Sequence, residues 1–369
     1  MIFRDKMRTE SRPMREGEQY FEFYDSSARD DIVLKRKTLN LWASRLPVGE
    51  QQSIRSRMKS STREFQAAEL ELAVHEILHR LDFEIQVHPA TPKGRRPDFL
   101  AVRSESRTFI EVTAIVESDE DYARDMRLAP IVNALNAMPL PPGHFFMFSV
   151  ESYGSKSPSV RLVYAKVQSW VAEHAPLQAN DPIETIVAQE DWQFELTLMN
   201  TGSAKVYDRA IGGQSGGASW ASPALDLKSK LESKSSRYGP LDAAFVIAVG
   251  DFRLLGIDEE EGVSEALFGQ WATQIGRNTL ETTNVFRPNG FFGHERGPQH
   301  SWVSGVLIVP GRPYWATQTT GKKPVIYLNP FALHPISAEH FGFESRSLSD
   351  QGKLLSNAGP DMKQLLGVG

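Results

Sequence analysis

The sequence predicts an α/β protein organised around a sheet that is covered on both sides, and three adjoining stretches predict it. Residues 65–81 carry Leu70, Val74, Ile77, Leu78 and Leu81 at the spacing of an amphipathic helix. Residues 84–88 (EIQVH) alternate polar with apolar, as a half-buried strand does. Residues 98–102 and 108–114 are almost continuously apolar, and each is broken by one acid, Asp98 and Glu111. Such runs suit central strands with both faces buried.

The helix comes first in that order. At roughly 100° per residue, Glu69 and Glu76 point away from its apolar stripe, towards water. Glu71 falls on the rim of the stripe beside Leu78, where a carboxylate can reach a cleft, and His75 lies one turn further along the same edge. The segment 91–94 (TPKG) is a turn by composition. Asp98 then opens the second strand just after Pro97, and Glu111 lies within the third, FIEVTA. An unpaired carboxylate buried in a sheet costs several kcal/mol. These acids therefore need a partner, and a divalent cation is an obvious one.

The spacing resembles the signature of the PD-(D/E)XK nuclease superfamily: PD, about a dozen residues, then E-x-K, with an acid on the preceding helix. It is carried here by Pro97-Asp98, by Glu111-Val112-Thr113 and by Glu71. The phrases RPDFL, IEVT, ALFG, SGVL and NP-x-A more loosely resemble a bacterial branch of that superfamily with ExT in place of ExK. The resemblance implies a restriction-endonuclease-like core, a mixed central sheet flanked by helices. It also implies Mg²⁺ (or Mn²⁺) held by Asp98, Glu111 and the Val112 carbonyl, with Glu71 binding a second ion or a metal-bound water. The usual lysine is replaced by Thr113, which can only donate or accept a hydrogen bond.

A lysine for that place is legible elsewhere. On a helix through 226–239, Leu227, Leu231 and Tyr238 share one face, and Lys234 falls in its middle with Lys230 and Arg237 at its flanks. Lysine is almost never fully buried without a partner. The apolar run 243–249 follows at once, so Lys234 is expected to aim into a site. The segment K-S-S-R-Y (234–238) is also similar to the Q-x-x-x-Y element of RecB-like nucleases, with lysine in place of glutamine. Lys234 is therefore expected to supply the charge missing at Thr113; the alternative is a snorkelling lysine whose stem covers leucine.

The remaining stretches fill in the outline. Three parts are expected: an N-terminal helical arm (1–61), a nuclease-like core (62–250), and a C-terminal extension (251–369) packed on it; the stretch 51–63, with Arg55, Arg57, Lys59 and Arg63, suggests a basic side to the arm. Residues 117–121 read as an acidic exposed loop, 131–138 and 160–174 as helices, and 144–150 and 192–199 as strands. The Gly-rich stretch 202–221, with IGGQSGG at 211–217, reads as a flexible loop, since it lacks the lysine of a phosphate loop. In the last third, 263–269 reads as a short helix, and 302–310 and 324–328 as paired strands that extend the same sheet. The loop 289–300 holds His294, Glu295, Arg296 and His300 at no recognisable zinc spacing.

Composition narrows the class. With 40% hydrophobic and 24% charged residues the 369-residue chain has ordinary globular make-up. No apolar run is long enough to span a membrane, and 1–16 lacks the apolar core of a signal peptide, so a cytoplasmic protein is expected. The absence of cysteine excludes disulfides and thiolate metal sites. A net charge of −5 leaves room for a local basic groove. The function expected is metal-dependent hydrolysis of phosphodiester bonds, most plausibly in DNA, in defence or mobile-element processing. The alternative is a catalytically degenerate nuclease fold that binds nucleic acid or a protein partner. Homodimerisation is left open.

Overall fold

The computed structural model describes residues 1–216, 223–239, 241–252, 260–275, 282–287, 289–294, 296–310 and 322–367. Its contacts divide the chain into two compact units: Met1–Arg12, Tyr20–Val116 and Ser222–Gly369 form the first, Pro13–Gln19 and Glu117–Ala221 the second. This differs from the three-part division expected above. Most of the second unit, Glu117–Ala221, is inserted inside the span read as the core, and the first sixty residues divide between the two units.

In the first unit, α1 (Tyr20–Ser26), α2 (Asp30–Ala43) and α3 (Val48–Ser60) all pack on α4 (Thr62–Arg80). Ser61 starts α4 by accepting the Glu64 N–H at 3.1 Å, satisfying one of the donors that a helix N-terminus leaves over. The chain then runs through β1 (Glu84–Val87), β2 (Phe99–Arg103) and β3 (Ser106–Ile115), which pair as an antiparallel meander.

The second unit follows in sequence. It comprises α5 (Asp119–Asn136), β4 (His144–Ser152), α6 (Val160–His174), β5 (Ile183–Gln189), β6 (Trp192–Asn200) and β7 (Ile211–Gly216). Its sheet runs β5-β6-β4-β7. Phe146, Phe148, Val150, Phe194, Leu196 and Leu198 point to one face and pack with Ile131, Leu135, Val163 and Val167 of the two helices. The alternation in 192–199 thus has the cause expected of it, one buried face, while in 144–150 apolar Phe145 and Met147 take the other face. Two readings are corrected here. Asp119, Glu120 and Asp121 form the first turn of α5, capped by Ser118, where acids meet the positive end of the helix. Residues 211–216 pair in parallel with β4 as strand β7, and 217–221 lie outside the described residues. Gly212 and Gly213 suit that strand because a Cβ there would meet Phe145 and Met147 of β4.

The chain returns to the first unit with α7 (Pro223–Ser235), β8 (Ala244–Asp251) and α8 (Glu260–Phe268). Two small hairpins follow, β9 (Trp271–Ile275) with β10 (Thr282–Phe286) and β11 (Gly293–His294) with β12 (Gly297–Pro298). The last elements are β13 (Gly305–Val309), β14 (Val325–Leu328), β15 (Glu344–Leu348), β16 (Leu354–Asn357) and α9 (Met362–Leu366). The large sheet has eight strands in the order β1-β2-β3-β8-β13-β14-β15-β16. The pairs β3–β8, β8–β13 and β14–β15 are parallel and the others antiparallel, so the sheet is mixed. The strands read in the last third do pair with each other and extend this sheet.

Helices cover both faces. Phe109, Phe245, Ile247 and Val249 share a core with Leu227 and Leu231 of α7 and with Val263 and Leu267 of α8. On the opposite face Gly250 lies under Leu70 of α4, and the Phe99 ring meets His75. Among the described residues no helix is long and apolar enough to cross a membrane.

Candidate active site

Three elements of the first unit place the acids. The antiparallel register pairs Phe99 with Ile110. Continued by one residue, it sets Asp98 opposite Glu111, and residues opposite each other in an antiparallel pair share a face. The next step sets Pro97 opposite Val112. A proline has no N–H to donate, so the ladder stops there. The Val112 N–H instead donates to Asp98 Oδ2 at 2.7 Å. In a strand, the N–H and C=O of one residue point to the same edge. The Val112 carbonyl therefore faces the gap that Pro97 leaves, on the side of the Asp98 carboxylate.

Glu111 is 3% exposed and doubly held. Lys234 Nζ donates to its Oε1 at 2.6 Å, and the Tyr238 hydroxyl donates to its Oε2 at 2.5 Å. Arg237 adds a looser contact at 3.6 Å. Lys234 is thus the inward lysine expected from the helical pattern, and its ammonium lies against the glutamate of the motif. Thr113 is buried on the same face two residues on, beside Val249 of β8. Tyr238, expected on the apolar face with Leu227 and Leu231 and in the short motif, proves to be a second donor to Glu111. Burial, followed by the Glu111 charge and hydrogen bond, raises the Tyr238 pKa, so the phenol stays protonated and acts as a donor.

Asp98 stands where β2 leaves the sheet. Burial of its carboxyl, then the Glu111 charge and then that of Glu71, push its pKa well above the usual carboxylate range. The Val112 N–H and Lys234 pull the other way but do not prevail. With no cation bound, these surroundings favour the protonated form of Asp98 more than water would.

Glu71 sits on α4 as expected, but not at a rim open to water: it is 6% exposed. Arg57, in the last turn of α3, reaches its Oε2 at 2.5 Å. Burial raises the Glu71 pKa, while Arg57 and then His88 lower it and Glu50 adds to the rise. His88 itself contacts Glu50 at 3.2 Å. No sequence period marks Arg57 as a partner of Glu71, because the pairing joins two helices.

The other acids of α4 correct the helical-wheel reading. Glu69 and Glu76 are 3% and 0% exposed, because α1 to α3 cover the side of α4 that the apolar stripe leaves polar. Each acid has cationic company there. Lys35 stands 3.9 Å from Glu69, and both Arg45 and Arg80 bond Glu76.

The donor set suits a divalent cation in its chemistry: two carboxylates, one raised in pKa by the charge of the other, and a backbone carbonyl at the end of the ladder. Among the described residues, no three Asp, Glu or His side chains surround a common point as they stand. Internal cations and N–H groups occupy the acids instead. In the loop 289–300 the His300 ring stacks on Phe291 and its Nδ1 lies 2.7 Å from the Phe291 carbonyl. The His294 side chain and Glu295 lie outside the described residues.

No family model matches the chain, and neither does any curated protein or solved structure.

Proposed function

We propose that this protein is a metal-dependent nuclease with a restriction-endonuclease-like core, hydrolysing phosphodiester bonds, most plausibly in DNA. The observation that carries the reading is Lys234 on Glu111, with the Asp98 carboxylate near enough to Glu111 to feel its charge. A lysine beside the E-x-K glutamate is what the motif requires, and here it arrives from α7 rather than from position 113. Asp98, Glu111 and the Val112 carbonyl would hold Mg²⁺ or Mn²⁺, which when bound supplies a water acidic enough to attack and neutralises charge on the phosphate. Lys234 keeps a positive charge at the reacting phosphate and orients the attacking water by hydrogen bonding. Tyr238 fixes the rotamer of Glu111 by donating to its second oxygen. Burial and its neighbours raise the Asp98 pKa, so an ion at this carboxylate would compete with a proton there.

Cleavage of DNA and RNA with Mg²⁺ or Mn²⁺ is the direct test. Asp98→Ala and Glu111→Ala should each abolish it while the fold persists. Cleavage that survives EDTA, or survives in both variants, sinks the reading. The degenerate alternative is favoured by Thr113 at the lysine position and by acids that are all internally engaged. It predicts DNA retention without cleavage, with or without the ion.

A further inference from the structure

Glu71 differs from the other two acids in its surroundings. Asp98 is bonded by a neutral N–H, and Glu111 by Lys234 of α7 and by Tyr238 just beyond its end. Glu71 is held by a guanidinium from α3, 2.5 Å from Oε2, with the glutamate side chain 8% and the Arg57 side chain 35% exposed. His88 faces it as well. A lysine in that place could give up its proton to admit a metal ion; arginine cannot. An ion bound at Glu71 Oε2 would have to displace a hydrogen-bonded guanidinium, whereas Arg237 stands off at 3.6 Å from Glu111.

Charge balance points the same way. Arg57, Lys234 and Arg237 already match the three carboxylates in number. One divalent ion leaves a surplus of two positive charges to meet a phosphodiester chain; a second would leave four. Arg57 also has donors to spare, since the guanidinium carries five N–H groups and spends one on Glu71 in the observed contact.

We propose that the site takes a single divalent cation, at Asp98, Glu111 and the Val112 carbonyl, and that Arg57, held by Glu71, fills the second ion's place and presents its guanidinium to the substrate phosphate. This rests on the nuclease reading. It assigns Glu71 the role of a positioning residue for Arg57 and removes it from the metal ligands.

The test is Mn²⁺ binding to the full-length, metal-free protein, read as free-ion EPR signal, with thermal melts confirming that each variant folds. The expected stoichiometry is one ion per chain, lost in Asp98→Ala and in Glu111→Ala. It should remain one in Glu71→Gln and in the double variant Arg57→Met/Glu71→Gln, which removes a positive and a negative charge together and so leaves no buried ion unpaired. Two ions in the unaltered protein, with the second lost in Glu71→Gln, overturn the inference but leave the nuclease reading standing. Loss of the single ion in the double variant does the same, since it makes Glu71 a ligand. No bound Mn²⁺, or binding indifferent to Asp98 and Glu111, overturns the nuclease reading and the inference with it. A second arm reads the phosphate contact without metal. The double variant should bind a fluorescent DNA duplex in EDTA about tenfold more weakly than the unaltered protein, as loss of a charge-assisted contact implies, and Arg57→Lys should retain most of the affinity. Unchanged affinity in the double variant removes Arg57 from the substrate.

Discussion

Lys234 shows how much one side chain can settle. Its Nζ lies 2.6 Å from Glu111, and its side chain is 15% exposed, so its charge acts where water is scarce. A positioned charge in such a site is worth about 3–4 kcal/mol of barrier. Lys234→Met keeps the stem and removes the charge, and cleavage should fall by about two to three orders of magnitude. Thr113→Lys in that background should restore part of the rate, because position 113 shares the face of Glu111. Single-turnover rates on one DNA substrate would check both. Undiminished cleavage by Lys234→Met would leave Lys234 a structural counter-ion of Glu111 and nothing more. The lysine was legible in the sequence because helical period and an inward cation conflict on the page. Arg57 was not, because a basic residue on a polar helix face has many innocuous readings and its partner is on another helix.

At the scale of elements, α4 is where local pattern and tertiary packing part company. The apolar stripe located the sheet-facing side correctly, but Glu69, Glu71 and Glu76 are buried too, under helices contributed by the first sixty residues. Period alone cannot say that a polar face will be roofed over; only the matching cations on other helices can. The burial leaves a titration signature. Burial raises the Glu69 pKa to about 7 from 4.5, with Lys35 opposing. The folded protein therefore holds that proton over a range where the unfolded chain has lost it, and stability falls as pH rises from 4.5 to 7. Burial first, with His79 and Arg45 adding to it, lowers the His75 pKa to about 4 from 6.5. There the unfolded chain binds the extra proton, and stability rises as pH rises from 4 to 6.5. The two residues thus oppose each other over most of the same window. Relative to the unaltered protein, Glu69→Gln should make stability climb more steeply with pH, by up to about 1.4 kcal/mol per pH unit. His75→Phe, which keeps a ring against Phe99, should make it climb less. Urea midpoints between pH 4.5 and 6.5 measure both, and parallel profiles in all three proteins would mean that neither group titrates differently on folding.

For the whole molecule, the sequence showed that strands exist but not how they are ordered. β3 lies beside β8, and β8 beside β13, through parallel pairings that local pattern does not encode. The second unit stayed hidden because the Gly-rich stretch that ends it reads equally well as a loop within one domain, and β7 was missed because a glycine-rich strand has no apolar alternation to read. Net charge is similarly uninformative until its placement is known. The chain carries −5 overall. Yet the first unit sets Lys93, Arg95 and Arg96 as exposed side chains in the loop before Asp98, and Lys93 lies against Gly239 at the end of the Lys234–Tyr238 segment. Lys230 adds a cation near Lys234 and Arg237: burial, and then those two charges, lower its pKa. A nucleic acid in the candidate site would thus meet a basic rim on an acidic molecule. Each phosphate neutralised adds about 0.9 to the steepness with which log affinity falls against log salt. Arg95→Ala/Arg96→Ala should therefore weaken duplex binding at low salt and flatten that slope by about 2. Lys37→Ala/Lys59→Ala changes net charge equally, on exposed positions of α2 and α3, and should leave the slope alone. Fluorescence anisotropy over a salt series separates local from net charge. Equal flattening in the two pairs would mean that the DNA responds to overall charge, and the loop before Asp98 would lose its place in the interface.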